Sequence, residues 1–177
     1  MTHALISISL TLFSLCTSAD ENRVFPLLSG ETLTNETLTI PDDTKGKYTI
    51  VGMGFSQKAE ENMSTWYDPM YNKFVAKSGI WDKQYDVNFY FVPMFTGAKK
   101  AAYKSTMKKL QNSNRKDLFP YILFYKGDMK PYEEPLGLKE KKKPYLFVLD
   151  KEGRIVFETN GVYTEDKLYA IEEHIEQ

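Results

Sequence analysis

Thiols and imidazoles are nearly absent. The 177 residues hold one cysteine, Cys16, and two histidines, His3 and His174. A Cys–His nucleophile pair, a dithiol redox motif and a Cys/His zinc site each need residues this chain lacks. Charge of one sign is also missing, because the net charge is −1. Nothing global therefore argues for nucleic acid or an anionic surface. Gly-rich phosphate loops, nucleophile elbows and metal motifs do not occur. What is there is ordinary for one folded domain: 42% apolar and 27% charged residues.

The one long uncharged apolar stretch is residues 4–15, ALISISLTLFSL. It suits the core of a secretory leader and falls short of the ~20 residues that span a bilayer. Thr17-Ser18-Ala19 then supplies small residues before Asp20. Residues 1–19 are expected to be a signal peptide, which makes the protein periplasmic or secreted. Cleavage after Ala19 would remove Cys16 and leave a mature chain without cysteine. An alternative is a lipoprotein anchored at Cys16, although Leu15 is large where a small residue is usual.

Residues 20–44 read as a polar lead-in with a short hairpin. Residues 47–55, KYTIVGMGF, read as a buried central strand whose Gly52 and Gly54 signal close packing. Met63, Trp66, Met70 and Phe74 step by three or four, predicting a helix over 58–77 kinked at Pro69. Residues 87–95 and 118–125 read as strands and 97–111 as a helix with Lys100, Lys104 and Lys108 facing solvent. A hairpin over 144–157 and a helix over 165–176, capped by Thr164, complete the chain. The order predicts an α/β sandwich, a central mixed β-sheet flanked by helices.

The segment GLKEKKKPYLFVLDKEGRIVFETNGVYTEDKLYAIEEHIEQ resembles thioredoxin-like proteins, above all the extracytoplasmic thioredoxins of cytochrome maturation. With the strand at 47–55 and the helix carrying Pro69, the resemblance covers residues 45–177. It implies a thioredoxin-like sandwich, a cis-proline at Pro144, and a groove beside it that pairs with an extended segment like an added strand. Counting back from Pro69 puts Glu61-Asn62-Met63-Ser64 where the redox pair would stand. Thiol–disulfide exchange needs a thiolate, and residues 20–177 have none. Trp66-Tyr67-Asp68-Pro69 and the PYLFVLDKEGRIVFETNG hairpin also resemble the thioredoxin-like assembly proteins of mitochondrial F-type ATP synthase, which lack a redox pair too. The bacterial-style leader fits that role poorly.

The expected function is that of a redox-inactive binding or assembly module with no cofactor. Its candidate binding residues are Glu61, Met63, Ser64, Trp66, Lys143 and Pro144. Trp66 and Met63 have a second reading as core residues at helical spacing. Residues 97–143 carry thirteen Lys/Arg against five Asp/Glu. Lys139, Lys141, Lys142 and Lys143 form a basic patch that would steer an acidic partner or anionic head groups, or simply be a solvated face. The partner is expected to be a protein or extended peptide, at most within a peripheral membrane or envelope complex, and not nucleic acid. The enzymatic alternative is a thioredoxin-superfamily oxidoreductase or peroxidase using a retained Cys16.

Overall fold

The computed structural model describes residues 23–76 and 85–175. The leader, Cys16 and the start of the lead-in lie outside those residues. Seven strands form one sheet, ordered β2-β1-β5-β4-β3-β6-β7. They are β1 Leu28–Thr32, β2 Thr37–Ile40, β3 Tyr48–Gly54, β4 Val87–Phe95, β5 Leu123–Lys126, β6 Tyr145–Leu149 and β7 Ile155–Asn160. β3, β4 and β5 run parallel, while β6 and β7 alternate direction beside β3 and the β1–β2 hairpin joins antiparallel to β5. The sheet is therefore mixed, as expected, and the N-terminal hairpin extends it rather than standing apart.

Strand period two sorts the core onto two faces. From β3 and β4, Ile50, Phe89 and Phe91 pack with Met63, Trp66, Met70 and Ile171. These come from the helices α1 (Gln57–Met63), α2 (Tyr67–Phe74) and α5 (Glu165–Ile175) and from a 3-10 turn at Ser64–Trp66. Further along the same parity of β4, Phe95 packs with Phe124 and with Met107 of α3 (Tyr103–Gln111). The other parity, Val51, Met53, Val92, Met94 and Phe147, packs with Phe25, Ile40, Leu136, Leu138 and Tyr132 of the short α4 (Lys130–Glu133). That cover was not read from the sequence, because four residues are too few for a periodic signal.

Gly52 and Gly54 behave as expected. A Cβ on Gly52 would stand 3.2 Å from the Phe91 ring, and one on Gly54 3.3 Å from Met63 Cε. The two glycines let α1 sit directly on β3. The single kinked helix expected over 58–77 is instead two helices joined at 64–66, and its last residue lies outside the described ones. The interruption lies where a proline acts, since Pro69 has no N–H for the Thr65 carbonyl four residues back, inside that 3-10 turn. Likewise residues 97–102 form a 3-10 turn before α3, and 116–121 another before β5.

Candidate functional site

Because β3, β4 and β5 are parallel, their carboxyl ends share one rim of the sheet. Residues 55–58, 96–100 and 126–130 emerge there. β6 begins and β7 ends at the same rim, since Tyr145 is opposite both Met53 and Asn160. In open α/β sheets ligands bind outside the carboxyl ends of the strands, so this rim is the natural place for a site.

The first residue after β3 and Phe55 is Ser56. Its extended backbone (φ −140°, ψ 161°) and hydroxyl cap α1, with Oγ accepting from the Ala59 N–H at 3.1 Å. The same hydroxyl donates to the Lys141 carbonyl at 2.5 Å. Six residues on, Asn62 Nδ2 donates to the Lys142 carbonyl at 3.1 Å. Two side chains of α1 thus clamp the backbone of the loop that leads into β6.

The rest of that loop is equally tied down. Glu140 N–H donates to Tyr145 Oη at 2.8 Å, Lys143 N–H to the Glu140 carbonyl at 3.2 Å, and Gly161 N–H to the Pro144 carbonyl at 2.9 Å. Pro144 is buried. The peptide bond before it is trans, and the cis bond among the described residues is Ile40–Pro41, at the opposite end of the sheet. The expectation of a cis-proline at Pro144 is therefore corrected. Beside it, Ser56, Asn62 and Gly161 hold the carbonyls of Lys141, Lys142 and Pro144.

The other candidate residues separate. Met63 and Trp66 are each 0% exposed and belong to the core rather than to an open groove. Trp66 Nε1 donates to the Gly161 carbonyl at 2.9 Å, and its ring meets Tyr163 edge-on at 5.5 Å. Glu61 and Ser64 lie exposed at the far end of α1. Glu61 pairs with Lys58 at 3.3 Å, and Ser64 Oγ donates to the Glu61 carbonyl at 2.7 Å. The helix start that would lower a thiol's pKa is Ser56, not Glu61. Its signal was a lone Ser directly after a strand run and before a periodic one.

Ion pairs knit the rim together. Lys99 pairs with Glu60, and Lys100 with Asp128 at 2.8 Å. The Lys100 ammonium holds the Asp128 carboxyl below the usual carboxylate range. Burial, then the Glu60 charge, push the Tyr67 phenol up to about 12. Lys143 is half-buried and pairs with Glu140 at 2.7 Å, which removes it from the free basic patch. Lys139, Lys141 and Lys142 are exposed and have no acidic partner among the described residues. An open cleft of about 430 Å³ between α2 and α5, lined by Asp68, Pro69, Asn72, Lys73, Tyr163 and Leu168, contains none of the predicted binding residues. Among the described residues no group of three His, Cys, Asp or Glu could hold a metal ion.

A mixed sheet with its helix-start site at the carboxyl end of the central strand is the thioredoxin-like fold, and solved structures agree. The chain is similar to a Chlorobium tepidum protein designated thiol:disulfide interchange protein DsbE, with TM-score 0.55, 19% identity, and 89% of this chain and 96% of that one covered. It is similar to the exposed lipoprotein thioredoxin Etrx1 of Streptococcus pneumoniae strain TIGR4, with TM-score 0.54, 15% identity and coverage of 83% and 98%. It is similar also to BsSco, a member of the Sco family of cytochrome c oxidase assembly proteins, with TM-score 0.53, 10% identity and coverage of 86% and 93%. No curated protein matches the sequence. The family model for ATP10 protein matches residues 16–175, and the chain belongs to that family.

Proposed function

We propose that this protein is a redox-inactive, thioredoxin-like assembly module that binds a protein partner at the carboxyl-end rim of its sheet. The observation that carries the reading is Ser56. It occupies the helix start after the central strand, and its proton is committed to the Lys141 carbonyl. A serine without a base is no nucleophile at neutral pH. His174 stacks on Phe157 and approaches the Ala170 carbonyl through Nδ1 at 2.8 Å, so its contacts are with its own helix and β7. The only thiol of the chain is Cys16.

Membership of the ATP10 family, with the resemblance to ATP synthase assembly proteins, supports ATP synthase as the complex being assembled. Residues 1–19 serve as a cleaved leader in this reading, and the protein acts beyond the membrane it crosses. The test has two arms. In an insulin-reduction assay with dithiothreitol, the chain starting at Asp20 gives no rate above background. In cells lacking the protein, assembled ATP synthase on native gels falls, and the Cys16→Ser chain restores it. Thioredoxin-like turnover, or failure of Cys16→Ser to restore assembly, overturns the reading.

A further inference from the structure

We propose that the loop at 139–142 is the cationic half of a docking surface for an acidic, extended segment of the partner. The proposal rests on the binding-module reading and names the chemistry of its partner. Four acids near this loop are matched, Glu60 with Lys99, Glu61 with Lys58, Asp128 with Lys100 and Glu140 with Lys143, while Glu133 and Glu134 of the segment leading into it are exposed without an ion pair among the described residues. Lys139, Lys141 and Lys142 remain as exposed charges on one loop. Lys126, whose ammonium stands 5.5 Å from the Tyr103 ring, and exposed Lys130 emerge from the neighbouring rim segment after β5.

The loop is held before any partner arrives. Ser56 and Asn62 fix its carbonyls from below and Tyr145 fixes the Glu140 N–H. Backbone ordering is one of the costs of association, and here the fold has already met it. The same bonds take up the Lys141 and Lys142 carbonyls, and the three ammonium groups of the loop select for carboxylates and raise the rate of encounter.

The pattern favours a discrete acidic segment over a lipid surface. Glu140 sits between Lys139 and Lys141, and Glu61 and Asp128 lie near, so a uniformly anionic plane would meet repulsion as well as attraction. Of the exposed large apolar side chains, Val24, Val156 and Tyr169 lie away from this rim, whereas Val162 follows the end of β7 beside Pro144 and the Leu27 carbonyl accepts from Tyr132; none belongs to the 139–142 loop itself. Lys104, Lys108 and Lys109 on α3 are also exposed, and they supply a control of equal charge on a regular helix.

The experiment measures fluorescence anisotropy of a labelled Glu-Ala repeat peptide, with its Gln-Ala counterpart, against the full chain. Sedimentation with phosphatidylserine–phosphatidylcholine vesicles runs beside it. The wild type binds the Glu-Ala peptide alone, and added salt weakens binding. K139Q/K141Q/K142Q weakens it about tenfold, and K104Q/K108Q/K109Q less than about threefold, with thermal midpoints checked for both. No binding of the Glu-Ala peptide overturns the proposal. So does equal weakening by the two triple variants, or vesicle binding that needs the 139–142 lysines while the peptide stays free. Each of those failures leaves the insulin and native-gel results standing, whereas insulin turnover would sink the module reading with the peptide result intact.

Discussion

The two ends of the sheet solve different problems with the same kinds of residue. At the end where the β6–β7 turn lies, most cations meet an acid. Asp150 accepts from the N–H groups of Glu152 and Arg154 at 3.0 and 2.8 Å and from Arg154 Nε at 2.8 Å. Arg154 also reaches Glu152, Lys45 reaches Asp42, Lys47 reaches Asp86, and Lys151 lies 5.9 Å from the Tyr48 ring. Residues 23–25 then close against Gly153 and Ile155. At the carboxyl-end rim Lys139, Lys141 and Lys142 of one loop, with Lys126 and Lys130 nearby, have no acidic partner among the described residues. A protein that needed the rim only for stability would have little reason to leave like charges together on one loop. The difference is one of degree, and it is what the proposed docking surface draws on.

The largest expected effect tests whether the rim depends on the core beneath it. Trp66→Ala empties a fully buried site and orphans the Gly161 carbonyl, so it should cost about 3–5 kcal/mol, read by urea unfolding. Were Trp66 a groove residue instead, the loss would be far smaller and peptide binding would fall first. At the closed end, Asp150→Ala strands two N–H groups and a guanidinium, and should cost about 2–3 kcal/mol in the same assay.

The closed end should also titrate. Burial pushes the Asp150 carboxyl up, but hydrogen bonds from Arg154 and from the Arg154 and Glu152 N–H groups outweigh it and hold the group below its usual range. A folded-state value below the unfolded ~3.9 means this stability is present above about pH 4 and is lost as pH falls further. Asp150→Asn should flatten that acid limb of the stability curve. An unchanged limb would show that other carboxylates govern it. Smaller again is Ser56→Ala, which removes an N-cap and a clamp on Lys141. It should cost about 1 kcal/mol, measured by thermal unfolding.

The fold was largely legible because long apolar runs carry it. The run 47–55, the run 87–95 and the Pro-led hairpin each became the strand expected, since β-branched and aromatic residues fix both period and burial. The site was less legible. Its placement depended on counting back from Pro69 by a family spacing, which put the redox-pair position at Glu61-Asn62-Met63-Ser64, beyond the helix N-cap at Ser56. The trans bond before Pro144 and the capping of Lys141 and Lys142 are tertiary facts, set by which helix packs over which loop. No local pattern encodes them. The lysines were visible in sequence, but which of them lack partners follows only from the ion pairs of Glu60, Glu61, Asp128 and Glu140.

The smallest predicted effect is the sharpest test of that last distinction. Sequence alone groups Lys143 with Lys139, Lys141 and Lys142, whereas the structure pairs it with Glu140 at 2.7 Å and half-buries it. An exposed ion pair three residues apart is worth little, so Lys143→Gln should change stability by less than about 0.5 kcal/mol. Removing the pair together, Glu140→Gln with Lys143→Gln, should leave binding of the Glu-Ala peptide within about twofold, because the pair carries no net charge. Lys141→Gln, one unpaired charge on the same loop, should weaken that binding more. If the pair variant weakens binding as much as Lys141→Gln, the difference drawn between matched and unmatched cations at the rim does not hold.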